Sequence, residues 1–210
     1  MVSGVCRNTP RDERNPSMTQ PVLFSRPAFP ISELSPDAIP RFMSGTLFAT
    51  STAPRAIEAI SVGDSILTKD GPRRVSRVAQ TNVLRQDWAY HRDIWPVRVP
   101  VGSLGNARPL RLSPDQRVIL SGQVVRKVCG VAALSVPCRD LVGLRGLIVE
   151  RPLADLRYYG ISFGIPAQVD AEGVWCDLDE TPPCPVDREA VREAYQAMHA
   201  AGEPALRPLE

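Results

Sequence analysis

From Leu47 onward the chain alternates short apolar runs with turn residues. The runs are Leu47-Phe48-Ala49, Ile66-Leu67, Val75 to Val78, Val97-Arg98-Val99, Val118-Ile119-Leu120, Leu147-Ile148-Val149 and Ile161-Ser162-Phe163. Spacing of this kind predicts many short strands, mostly of the kind that needs hairpins and not βαβ crossovers. Val97, Val99 and Val101 alternate with Arg98 and Pro100, which predicts one buried face and one wet face. Asp70-Gly71 predicts a hairpin turn, because glycine accepts a positive φ at no steric cost. Ile57, Ile60 and Val62 fall at near-helical spacing in a segment too short for a stable helix, which predicts a single turn closed by Gly63-Asp64.

The two ends follow other patterns. Residues 1–40 hold Pro10, Pro16, Pro21, Pro27, Pro30, Pro36 and Pro40, a density that removes backbone donors and predicts an extended arm. After Cys184-Pro185, residues 187–201 predict the one helix, with Asp187 as N-cap and Val191, Ala194, Tyr195 and Met198 on one stripe. Gly202 stops it. The helix is read as docked on the domain in preference to reaching for a partner. The expected organisation is therefore an arm at 1–40, a β domain at 41–180, and a proline-rich linker with a terminal helix at 181–210.

Composition narrows the function classes. The chain has 210 residues, with 25 basic and 23 acidic side chains and a net charge of +2. So balanced a charge creates no field that would gather nucleic acid or an anionic membrane, and neither is expected as partner. The N-terminus lacks an apolar stretch of the secretory kind, and no segment is long and apolar enough to span a bilayer, so a cytoplasmic location is the default expectation. An uncleaved C-terminal export signal would escape that test. Cys6, Cys129, Cys138, Cys176 and Cys184 are odd in number, irregular in spacing and without a CxxC pair, which points to neither a disulfide framework nor a zinc site. Asp177 and Asp179 alternate on one face of a strand but lack further ligands for a cation. No metal or cofactor is expected. Trp88 and Trp95 read as rings packed on the sheet in preference to a stacking surface, and Arg73, Arg74 and Arg77 as solvated hairpin charge.

The segment Arg41-Phe42-Met43-Ser44-Gly45-Thr46-Leu47-Phe48-Ala49-Thr50, followed by Ile57 to Gly71, resembles the opening of the bacterial Hedgehog/intein (Hint) family, which reads about CFxxGTxIxT and then VExLxxGDxVxTxDG. Pro96-Val97-Arg98-Val99, Gly102-Ser103-Leu104-Gly105-Asn106 and Leu112-Ser113-Pro114-Asp115-Gln116-Arg117-Val118-Ile119 are similar to its PVRI, GALG and SPxHRVL stretches, in the family's order. Arg139-Asp140-Leu141-Val142 resembles the next strand, and Ile161 through Val174 the closing segment. The likeness spans about residues 41–178. It implies an all-β, horseshoe-like disc with pseudo-twofold symmetry, here followed by a C-terminal α-helix. Gly45, Gly63 and Gly173 take its tight turns, and the first residue and a ThrxxHis motif meet at a central cleft.

The chemistry that the resemblance implies is autoprocessing. A cysteine or serine at the first position attacks the preceding carbonyl, and the histidine assists. The first position is Arg41, whose guanidinium cannot accept an acyl group. The ThrxxHis equivalent runs from Ser113 to Gln116, which keeps a hydroxyl but replaces imidazole with a carboxamide unable to exchange a proton near neutral pH. The closing histidine falls at Pro166, beside Ala167, and the following asparagine at Glu172. His91 and His199 are the two histidines in the chain, and both read as structural or solvated. No catalytic residue is therefore assigned. The expectation is a degenerate Hint domain acting as a structural or binding module, its partner unspecified beyond a protein or peptide. Two alternatives stay open. One is a self-cleaving protein with a displaced nucleophile at Ser44, Cys129, Cys138 or Cys176, acting at Pro40-Arg41. The other is an unrelated small β binding module. Convergence of Arg41, Ser113 and Gln116 on one cleft is the expectation that follows from the family placement.

Overall fold

The structure, a computed structural model, describes residues 41–179 and 187–202. The expected arm at 1–40, most of the expected linker, and Cys6 and Cys184 lie outside the described residues.

Among the described residues, fourteen short strands build two sheets. The six-stranded sheet runs in the order β11 (Ile148–Val149), β7 (Val97–Val99), β8 (Leu110–Leu112), β1 (Phe42–Met43), β12 (Leu156–Ser162) and β6 (Arg77–Val83). The eight-stranded sheet runs β10 (Ala133–Pro137), β9 (Arg117–Ser121), β14 (Val174–Asp177), β13 (Gln168–Ala171), β2 (Leu47–Phe48) and β3 (Arg55–Ala56), with β4 (Ser65–Thr68) joined to β13 and β5 (Gly71–Arg74) joined to β4. The pairings are antiparallel. Local ladders of this kind are what the hairpin spacing predicts.

One core lies under both sheets. β9 sits between β10 and β14, and four of its five residues are buried, so its apolar run is continuous where that of β7 alternates. Phe42 of the first sheet meets Phe48 of the second edge to face, with ring centroids 4.8 Å apart and planes at 81°. This geometry sets the positive ring edge against the negative face. A satellite core of Val83, Trp88, Ile94, Leu156 and Tyr158 lies under α1 (Arg85–Trp88). There Trp88 is buried, and its ring stands edge to face with that of Trp95, as the packing reading of the two rings expects.

The terminal helix α3 (Arg188–Ala200) is capped by the Asp187 carboxylate, which accepts from the Glu189 N–H at 3.3 Å. Val191, Ala194, Tyr195 and Met198 are buried. They pack toward α2 (Gln123–Cys129) and the 3₁₀ turn Cys138–Leu141. The Arg192 guanidinium donates to the carbonyls of Asp140 and Val142, both at 2.9 Å, and the Tyr195 hydroxyl to that of Ser103 at 2.5 Å. This helix is docked.

Four local expectations are corrected. Val75 is not part of a strand from 75 to 78. It breaks the chain between β5 and β6, its N–H on the Asp64 carbonyl and its own carbonyl taking the Gly63 N–H. Val101 is 60% exposed, because the chain turns at Pro100-Val101-Gly102 before the alternation can continue. Val62 is likewise exposed while Ile57 and Ile60 are buried, so the predicted turn is a 3₁₀ turn of Ile57–Ala59 alone. Residues 139–142 do not form a strand, since the N–H groups of Cys138 and Arg139 turn back to the carbonyls of Gln116 and Pro114. The expected single helix is joined by two others, the short α1 and α2, the latter a Val-rich segment that runs between Gly122 and the left-handed Gly130.

Candidate functional site

The loop Ser113-Pro114-Asp115-Gln116 joins β8 to β9. It closes on itself through the Gln116 N–H to the Ser113 carbonyl at 3.0 Å, and the Ser113 hydroxyl accepts from the Asp115 N–H at 3.4 Å. The neighbouring 3₁₀ turn holds the loop from outside: Cys138 N–H reaches the Gln116 carbonyl and Arg139 N–H the Pro114 carbonyl, each at 2.9 Å, and the Arg139 guanidinium pairs with Asp115.

Arg41 immediately precedes β1. Its carbonyl accepts from the Ser113 N–H at 3.0 Å, extending by one residue the ladder that sets Phe42 opposite Leu112. The two positions are thus strand neighbours. The Arg41 guanidinium donates through Nη1 to the Asp179 carbonyl at 3.4 Å. Gln116 is fully buried, and its Nε2 donates to the carbonyls of Arg117 at 2.7 Å and Asp177 at 3.2 Å. Its Oε1 has no hydrogen-bond partner among the described residues.

Pro166 is exposed on the loop between β12 and β13. The carbonyl of the next residue, Ala167, takes the Leu178 N–H at 2.9 Å. Pro166, Ser162, Gly164, Leu178 and Asp179 line an open groove of about 510 Å³. Arg41, Gln116 and the 166–167 corner therefore all engage one short strap, residues 177–179, while Ser113 joins them through the Arg41 backbone.

Asp177 anchors the strap. Its carboxylate accepts from the Ser135 hydroxyl at 2.6 Å and from the Asp179 N–H at 3.0 Å, and Ser135 Oγ accepts in turn from Arg117 Nε at 2.9 Å. Burial lowers the Arg117 pKa. Asp177 and Asp140 oppose that shift and the like charges of Arg41 and Arg139 add to it. Arg117 matches the arginine of the SPxHRVL stretch but carries no role in the sequence reading, and no motif marks Ser135.

The other candidate side chains are engaged elsewhere. Ser44 Oγ donates to Glu58 at 3.0 Å. Cys138 and Cys176 are fully buried, and burial raises both thiols, that of Cys138 to about 12. Cys129 lies against the Ala190 carbonyl at 3.8 Å, and burial with the Glu193 charge raises its pKa. His91 stands 3.9 Å from Asp93, and His199 is exposed on α3. Glu172, where the resemblance led us to expect the family's asparagine position, takes a left-handed φ of 57° and accepts from the Leu47 N–H at 3.1 Å. No group of three His, Cys, Asp or Glu able to hold a metal ion occurs among the described residues, and no helix among them is long and apolar enough to cross a membrane.

Comparison with solved structures finds inteins and intein-like domains. The bacterial intein-like domain from Clostridium thermocellum is 12% identical, with a TM-score of 0.45, over 67% of this chain and 99% of that one. The MchDnaB-1 intein is 14% identical, with a TM-score of 0.39, over 66% and 99%. The gp41-1 intein is 12% identical, with a TM-score of 0.36, over 65% and 97%. None of the curated proteins compared with the chain matches it. The family model for the Hint domain matches residues 40–178. That match covers well over half of the 210 residues, includes the Arg41 to Gln116 strands and ends within the strap, so the chain belongs to the Hint-domain family.

Proposed function

We propose that this Hint domain no longer processes itself and serves as a structural or binding module for a protein or peptide partner. The observation that carries this reading is the use made of Arg41 and Gln116. Both donate hydrogen bonds to backbone carbonyls of the strap. A guanidinium offers no lone pair to an acyl carbon, and a carboxamide no proton near pH 7. The degenerate positions are Arg41, Ser113, Gln116 and Pro166, with Ser113 retaining a hydroxyl that accepts from the Asp115 N–H.

The state of the candidate groups argues against a displaced nucleophile, the Cys129 thiol being raised by burial and the Glu193 charge. The candidate thiols at Cys138 and Cys176 are buried and held protonated, and Ser44 is committed to Glu58. The alternative of an unrelated β module is closed by the family match. A reporter fused ahead of residue 30 tests the proposal. The full-length fusion is expected to persist in cells and on treatment with thiol, whereas a shortened reporter ending at Pro40 would refute the loss of processing.

A further inference from the structure

The sheet edges of this protein are not alike. β3 and β11 are two residues long, β5 contains Pro72, and β10 ends on Pro137. Short edges and proline both blunt strand addition, since proline offers no donor to a ladder. β6 has neither protection. It is seven residues long, stands in register with β12 from Arg77↔Ser162 to Val83↔Leu156, and among the described residues pairs with no other strand. It holds no proline, lysine or acidic residue, and its one charge, Arg77, lies at its end. Ala79, Gln80 and Asn82 are exposed, and the Gln80 amide donates to Asn82 Oδ1 at 3.0 Å on the shared face. An edge of this kind presents an open row of backbone donors and acceptors.

We propose that β6 is a self-association edge, pairing antiparallel with β6 of a second copy about a two-fold axis at Gln80 and joining two six-stranded sheets into one. The choice of occupant rests on the strand's own residues. A two-fold axis at the middle residue sets Arg77 opposite Val83, Val78 opposite Asn82, Ala79 opposite Thr81, and Gln80 opposite itself. No like charges face one another in that register, and cross-strand like charge is what would oppose it. A carboxamide carries both donors and an acceptor, so Gln80 can bond its own symmetry copy. A foreign peptide would find a nearly neutral strand with little to select it. Isologous pairing also closes the assembly, because the same edge serves both copies.

The test exploits the residue that meets itself. Sedimentation velocity on the full chain and on the Gln80→Lys and Gln80→Glu variants is run over a wide concentration range, alone and as a one-to-one mixture. The wild type is expected to approach about twice the 23.0 kDa chain mass as concentration rises. Each charged variant is expected to remain monomeric where the wild type is dimeric. The mixture should regain the dimer, in a form weakened by salt. Gln80 is exposed, so circular dichroism and melting serve as fold controls. A wild type that stays monomeric throughout, charged variants that dimerise as well as the wild type, or a mixture that fails to associate would each overturn the proposal.

Discussion

Gln116 Nε2 stands 3.2 Å from the carbonyl oxygen of Asp177, sixty-one residues away in the chain, and closes the loop after β8 onto the end of β14. That bond is buried, and the same nitrogen satisfies the Arg117 carbonyl at 2.7 Å. A side chain expected, from the resemblance, at the family's histidine position is here part of the protein's internal hydrogen bonding.

Gln116→Ala is therefore expected to destabilise the fold by about 2–3 kcal/mol, the cost of leaving buried carbonyls unpaired together with the volume lost. Gln116→Glu is expected to cost more, because a buried carboxylate would face two carbonyl oxygens. Urea unfolding followed by circular dichroism reads both. A loss under about 0.5 kcal/mol for the alanine variant would remove the clamp from the account.

The helix α3 lies beyond the family match, yet it buries Val191, Tyr195 and Met198 in the shared core. Three such side chains at about 1.5–3 kcal/mol each amount to a large part of the roughly 5–15 kcal/mol that holds a domain together. A chain ended at Asp179 is expected to melt far below the full chain or to fail to fold. Tyr195→Phe removes one bond to the Ser103 carbonyl, which keeps the Arg145 guanidinium at 3.1 Å, and should cost about 1 kcal/mol. Thermal melts of the two variants check the pair.

Acid titration has a sign that can be worked out at Glu150. The Arg111 guanidinium, bonded to its carboxylate, lowers its pKa, with burial opposing and the charges of Arg111 and Arg98 adding to the fall. A carboxyl lowered on folding stabilises the protein above its unfolded pKa, and that contribution fades as pH falls through the folded value. Asp64, lowered by the Ser61 N–H and by Arg55, acts in the same direction. Asp170 acts oppositely: burial raises its pKa, so its contribution is present at low pH and fades as pH rises through the raised value. Glu150→Gln should flatten the acid limb of the unfolding free energy below about pH 4.5 by about 0.5 kcal/mol, since the pair is partly solvated. An unchanged acid limb would show that Glu150 is not held by Arg111.

Much of the fold is legible in the chain because strand centres carry their own pattern. Val97 and Val99 on β7, Val118 to Leu120 on β9, and the capped helix after Asp187 are all visible in side-chain type alone. What is not legible depends on distant partners. Residues 139–142 resemble the family's next strand, but the Arg139 N–H goes to the Pro114 carbonyl and the Val142 N–H back to the Arg139 carbonyl, which makes a turn of the segment. α2 reads as β-branched, and the glycines at each end impose the helix. The positions Arg41, Ser113, Gln116 and Pro166 could be located from motif order. How Arg41 and Gln116 attach to residues 177–179 could not, because their acceptors there are backbone carbonyls, which every residue type supplies.

The most direct test of the loss of self-processing is the intact mass of the purified full chain after prolonged incubation at neutral pH, with and without hydroxylamine, a nucleophile that traps thioesters and esters. The account predicts a single species at the full-length mass in both samples. A pair of fragments meeting between Pro40 and Arg41, growing with time and faster with hydroxylamine, would contradict it.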